Sequence, residues 1–151
     1  MEVLNPLAGT VLFPHSGTFS ANPLVMAAGL TAMELYDRDA VDTLNTLGER
    51  ARGQIAGAIR EADFPACVTG AGSLFRIHMT PEPPATYRQA HVDAARAKLI
   101  CALLEHAFEN GVMLINTCSG ALSTAMTGQE IDRLAEVLLF GFRNLRRRKV
   151  E

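Results

Sequence analysis

Apolar residues recur at three- and four-residue steps along three stretches of this chain and at two-residue steps along one. The clearest helical stripe follows Asp39. Val41, Leu44, Leu47, Ala51, Ile55, Ala58, Ile59 and Ala62 share one side, and Asp42, Glu49, Arg52 and Arg60 fall between them. The pattern predicts a long helix covering one side of a core. A second stripe, Val92, Ala95, Leu99, Leu103 and Ala107, predicts a single helix over 87–110, ended by Gly111 where a left-handed residue is wanted. A third, Ile131, Leu134, Leu138, Phe142 and Leu145, follows Thr127-Gly128-Gln129-Glu130, whose T-x-x-E form is that of a capping box. Upstream, Pro23 to Tyr36 is rich in helix formers, with Asn22 as the N-cap and Pro23 at the first helical position. Ala27, Ala28 and Gly29 in that helix are too small to fill a core and suit the close approach of another backbone.

After Phe64-Pro65 the period becomes two. Residues 66–69 and 73–80 predict a strand pair across Gly70-Ala71-Gly72, with Leu74, Arg76 and His78 on one face and Phe75, Ile77 and Met79 on the other. Residues 112–115 predict another short strand, and 116–123 an irregular loop. The order helix, helix, strand pair, helix, strand, helix lacks regular crossovers. It predicts an α+β fold, a small and largely antiparallel sheet with helices on one side.

Composition narrows the classes. A chain of 151 residues buries roughly 68–70% of its unfolded surface, so a core forms without metal or disulfide staples. A net charge of -2 gives no general attraction to nucleic acid or an anionic membrane. The run Arg146-Arg147-Arg148-Lys149 suits the negative end of a helix dipole. Cys67, Cys101 and Cys118 are odd in number and widely spaced, which implies reduced thiols and a cytoplasmic protein. No signal core and no apolar run of about 18 residues is present.

Candidate chemistry is sparse. Val68 to Gly72 begins like a dinucleotide fingerprint, but Phe75 occupies the third glycine position and the next residues alternate as a strand, which speaks against a nicotinamide site. His15, His78, His91 and His106 have no metal-ligand spacing, so no metal is expected. Cys118 is a thiol on a loop with no base supplied by its sequence neighbours. Arg76, flanked by apolar strand residues, needs a partner: a structural carboxylate, solvent, or a substrate carboxylate bound through both guanidinium arms. The stretch His15-Ser16-Gly17-Thr18-Phe19-Ser20-Ala21-Asn22-Pro23 is a helix entry with an anion-binding option, since helix N-termini offer unpaired N–H groups and Thr18 and Ser20 add hydroxyls. No lysine or arginine lies in residues 1–37 to complete such a site.

Several of these stretches carry a family resemblance. Gly17-Thr18-Phe19-Ser20-Ala21-Asn22-Pro23 with Leu24 to Leu30, Gly70 to Thr80, Glu109 to Leu114 and Leu122 to Asp132 resemble the C-terminal part of class III pyridoxal-phosphate-dependent aminotransferases, in the glutamate-1-semialdehyde aminomutase branch. The resemblance covers essentially the whole chain. It implies a fold type I small domain at 63–151, interface and linking helices at 23–62, and a remnant of the large domain at 1–22. It implies pyridoxal 5'-phosphate as the parent enzyme's cofactor, a homodimer, and a small-molecule amino donor and acceptor. It further implies that Gly17 and Thr18 reach the phosphate held mainly by the neighbouring subunit, with Arg76, Cys118 and Ser119 on the substrate side.

Two departures qualify these expectations. The family's Schiff-base lysine lies upstream of the Gly17-Thr18 motif, and the lysines of this sequence, Lys98 and Lys149, do not match it. The chain by itself is therefore expected to be inactive, and the alternative is a non-enzymatic truncated domain acting through association with a partner. Where the aminomutase branch carries a glutamate ahead of its glycine, this sequence has Cys118-Ser119-Gly120, leaving amino-acid transamination open beside aminomutation.

Overall fold

A computed structural model describes residues 5, 9 and 17–148. The chain divides into two compact units, 1–38 and 39–151. In the first unit, helix α1 (Pro23–Leu35) begins as the sequence predicts. Asn22 caps it by accepting a hydrogen bond from the Leu24 N–H at 3.0 Å, and Pro23 stands at its first turn. None of its residues is buried, and Leu24, Met26, Leu30 and Met33 are each at least 60% exposed. A helix that is apolar around its circumference is built to be enclosed.

The second unit is a three-stranded antiparallel sheet that shares a core with α-helices. Helix α2 (Arg38–Glu61) buries Leu44, Gly48, Ala51, Ile55, Ala58 and Ile59, the stripe read from the sequence. It ends where Asp63 takes a left-handed conformation (φ 49°) and the Phe64 N–H reaches back to the Ile59 carbonyl. Strands β1 (Cys67–Thr69) and β2 (Leu74–His78) pair through the predicted turn. On β2, Phe75 and Ile77 are buried, Arg76 and His78 half-buried and Leu74 exposed, so the alternation places the apolar side chains against the helices. Arg52 of α2 secures the turn by donating to the carbonyls of Gly72 and Leu74 at 2.7 and 3.1 Å.

The predicted single helix over 87–110 is instead two. A short α3 (Tyr87–Ala90) carries a capping box between Thr86 and Gln89, and α4 (Ala94–Glu109) starts from Asp93, whose carboxylate accepts the Arg96 N–H at 2.8 Å. Two side chains each able to cap a helix start explain the break between them. Gly111 ends α4 with φ 79°, as expected.

The predicted strand at 112–115 does not form. The third strand, β3, is Ser119–Ala121, inside the stretch expected to be irregular, and pairs with β2. Only an isolated bridge joins Ile115 to Ser119. Packing chose between the two: a Cβ at Gly120 would lie 2.5 Å from the Phe75 ring, so the bare glycine lets the strands close over that side chain.

Helix α5 (Gly128–Arg148) supplies Ile131, Leu134, Leu138, Phe142 and Leu145 to the core, and the Phe142 ring stacks on Phe64 with centroids 5.6 Å apart. At its start the Glu130 carboxylate accepts from both the N–H and the hydroxyl of Thr127, at 2.6 and 2.7 Å. The return bond of the expected capping box runs from the Gln129 N–H rather than that of Glu130. Near its end, Arg146 pairs with Asp63 at 2.8 Å and donates to the Ala62 carbonyl, so this member of the basic run ties α5 to the end of α2.

Candidate functional site

The helix entry in the first unit is a turn followed by a cap. Within the notable stretch, His15 and Ser16 lie outside the described residues. The Ser20 N–H donates to the Gly17 carbonyl at 3.0 Å, Ala21 is left-handed (φ 57°), and Asn22 closes the cap. Gly17 to Ser20 are exposed, and the Thr18 hydroxyl makes no hydrogen bond with the described residues. The turn therefore presents the exposed Thr18 hydroxyl beside Gly17, ahead of the first turn of α1.

In the second unit, the register aligns Thr69, Arg76 and Ser119 in one row across the three strands, on the face opposite Phe75. One row along, His78 stands opposite Cys67. Thr69 Oγ1 and His78 Nε2 share a hydrogen bond of 2.9 Å. Burial, and secondarily the positive charge of Arg76, lower the His78 pKa from its ordinary value.

The loop before β3 is held tightly. The Cys118 N–H donates to the Ile115 carbonyl at 2.8 Å, the Cys118 carbonyl accepts from the Ile77 N–H at 3.0 Å, and Cys118 is left-handed (φ 58°). Its side chain is fully buried, and burial pushes the thiol up to about 12 despite the opposing influence of Arg76. Cys118 is thus a protonated core residue and no nucleophile at neutral pH. Its neighbour Ser119 is half-buried, with its hydroxyl 3.0 Å from that of Thr117.

A feature the sequence did not reveal is an apolar cleft of about 610 Å³ between the start of α5 and residues 111–115, walled by Phe75, Leu114, Met126, Ile131 and Leu134. The run Val112-Met113-Leu114-Ile115 that looked like a strand is its rim, which leaves Met113 and Ile115 exposed. Lys98 is exposed on α4 and lines none of the clefts around the sheet, and Lys149 lies outside the described residues. Among the described residues no cluster of metal-ligating side chains occurs, and no helix is long and apolar enough to cross a membrane.

No family model matches the chain. It is, however, 39% identical over 141 residues to the glutamate-1-semialdehyde 2,1-aminomutase of Opitutus terrae, a match covering 91% of this chain and 32% of that protein. Its fold superposes with a TM-score of 0.85 on an omega-transaminase from Sphaerobacter thermophilus, at 35% identity, covering 95% of this chain and 33% of that one. A transaminase solved with pyridoxal phosphate bound gives a TM-score of 0.72 at 32% identity, covering 93% and 31%. The chain thus spans about a third of the length of the relatives it matches.

The antiparallel three-stranded sheet with its helices has the α+β fold of a C-terminal domain of pyridoxal-phosphate-dependent transaminases. More particularly, the chain is similar in sequence to glutamate-1-semialdehyde 2,1-aminomutases and in fold to class III transaminases.

Proposed function

We propose that the chain serves as the C-terminal portion of an enzyme that moves an amino group between an amino acid or amine and a keto acid or aldehyde. The observation that supports this reading is the joint match in sequence and fold over more than nine-tenths of the chain. Residues 1–22 then correspond to the edge of the parent's large domain, 23–62 to interface and linking helices, and 63–151 to the small domain. Pyridoxal phosphate, when bound, supplies an electron sink for the carbon that carries the amine.

The residues of this chain have narrower tasks in that setting. Gly17 allows close backbone approach, and Thr18 donates its hydroxyl to the phosphate held by the neighbouring subunit of a homodimer. The exposed apolar surface of α1 supports such an assembly. Arg76 and Ser119 border the substrate, with Cys118 behind them holding the loop in shape. Neither Lys98 nor Lys149 matches in sequence the lysine that holds the cofactor aldehyde in the family, and on this reading the 151 residues alone turn over no amine.

A chimera tests this reading: the matching third of the Opitutus terrae aminomutase is replaced by this chain. The chimera is expected to bind pyridoxal phosphate, and Thr18→Ala to weaken that binding by about tenfold or more, the usual loss of a hydrogen bond to a charged group. A folded chimera that binds no cofactor, or one indifferent to Thr18, refutes it. Borohydride reduction of the isolated chain with pyridoxal phosphate, followed by mass spectrometry, is expected to leave no site-specific adduct.

A further inference from the structure

We propose that Arg76 anchors a carboxylate receptor on the sheet face opposite the core, and that the ligand it takes carries an apolar body behind the carboxylate. Calling that ligand the substrate rests on the enzymatic reading above; the receptor itself does not.

The Arg76 side chain has no ion-pair or hydrogen-bond partner among the described residues, and its Nε is buried and unpaired. Other arginines around it are engaged: Arg52 holds the turn carbonyls, and Arg96 faces Asp93 at 3.6 Å. A half-buried guanidinium with donors to spare is matched by an incoming anion.

Two cavities meet at this residue. One is a cleft of about 20 Å³ whose polar walls are Arg76, His78, Thr80, Gln89, His91 and Arg96, with no acidic side chain among them. Room for one water-sized group begins at about 10–15 Å³, so this space admits one carboxylate oxygen and nothing bulkier. The other is a cavity of about 410 Å³ lined mainly by Leu74, Phe75, Ile115 and small residues, whose polar side chains besides Arg76 are the hydroxyls of Thr69 and Ser119. Arg76 lines both, and Thr69 and Ser119 stand beside it in the same row of the sheet. A planar carboxylate fits the guanidinium fork through two parallel hydrogen bonds, and the small cleft suits it better than a tetrahedral dianion. The apolar cavity then receives the rest of the molecule. On the enzymatic reading, the substrate is an amino or keto acid with a hydrophobic side chain rather than a simple amine.

The test uses this chain, isotopically labelled, with 3-phenylpropanoate, its neutral amide and inorganic phosphate as probes. Nuclear magnetic resonance follows the Arg76 Nε–H and the His78 ring. The acid is expected to shift the Arg76 signal saturably. It is also expected to raise the apparent pKa of His78, because the bound carboxylate offsets the guanidinium charge that lowers it. The amide binds at least tenfold more weakly. Arg76→Lys, which keeps the charge and loses the fork, weakens the acid at least tenfold with the core methyl spectrum unchanged. Equal binding of acid and amide, no saturable shift, equal binding by folded Arg76→Lys, or phosphate binding as tight as that of the acid overturns the proposal. Should the variant fail to fold, the comparison of acid with amide on the unaltered chain still decides. No cofactor enters the experiment, so its failure leaves the amino-transfer reading untouched, and a failed chimera leaves the receptor standing.

Discussion

Gly48 faces the turn at Gly72 so closely that a Cβ there would overlap the Gly72 carbonyl oxygen. Gly48→Ala gains helix propensity of about 0.8–1 kcal/mol. It also forces backbone apart, and overpacking costs typically about 1–3 kcal/mol. The variant is expected to be the less stable, seen as a lower urea midpoint with an unchanged slope. Two titrating groups bound the pH range of stability. The folded pKa of His78 lies below its unfolded value of 6.5, so the unfolded state binds the proton first. The contribution linked to His78 is fully present above pH 6.5 and is lost as the pH drops below it, and His78→Gln is expected to shallow that fall. The Cys118 thiol is shifted the other way, from 9.0 to about 12, so stability falls as pH rises across that interval. At about pH 8 a thiol-specific disulfide reagent is expected to modify exposed Cys101 in the native chain and Cys118 only after unfolding. The sequence made the direction of Arg76 legible, because strand alternation needs only a period of two. It did not reveal that Cys118 is buried, since that follows from a left-handed turn which no local signal announced.

The elements were legible where a single periodic stripe decided them and obscure where two signals competed. Helix α2 and the inner face of α5 were readable from spacing alone. The division of α3 from α4 was not, because the apolar period runs on through His91 and Val92 while Thr86 and Asp93 each supply a cap. Asp93→Ala removes the cap of α4 and is expected to cost about 1 kcal/mol, read from thermal unfolding. The third strand was missed for a related reason. Val112 to Ile115 has the apolar character of a strand, whereas Ser119-Gly120-Ala121 has almost no strand propensity, and tertiary pairing with β2 overrode both preferences.

At the scale of the whole molecule, the sequence indicated the α+β class and the family likeness, which the fold and the comparisons bear out. The apolar cleft beside α5 was not legible, because it arises from residues far apart in sequence. The exposed surface of α1 leads to a prediction about assembly. The chain is expected to self-associate with rising concentration in light scattering, and Leu30→Glu with Met33→Glu is expected to lower its mean mass.

The place of α5 also bears on when the second unit can exist at all. Five of its side chains belong to a core whose other members lie on α2, the sheet, α4 and the segments joining them, and Arg143 and Arg146 bind Glu61 and Asp63 across more than 80 positions of sequence. A growing polypeptide therefore holds a half-built core, open beside α2 from Arg50 to Glu61, until α5 leaves the ribosome. Nascent chains arrested before Gly128 are expected to remain protease-sensitive and bound by chaperones, and those arrested after α5 has emerged to become resistant in one step.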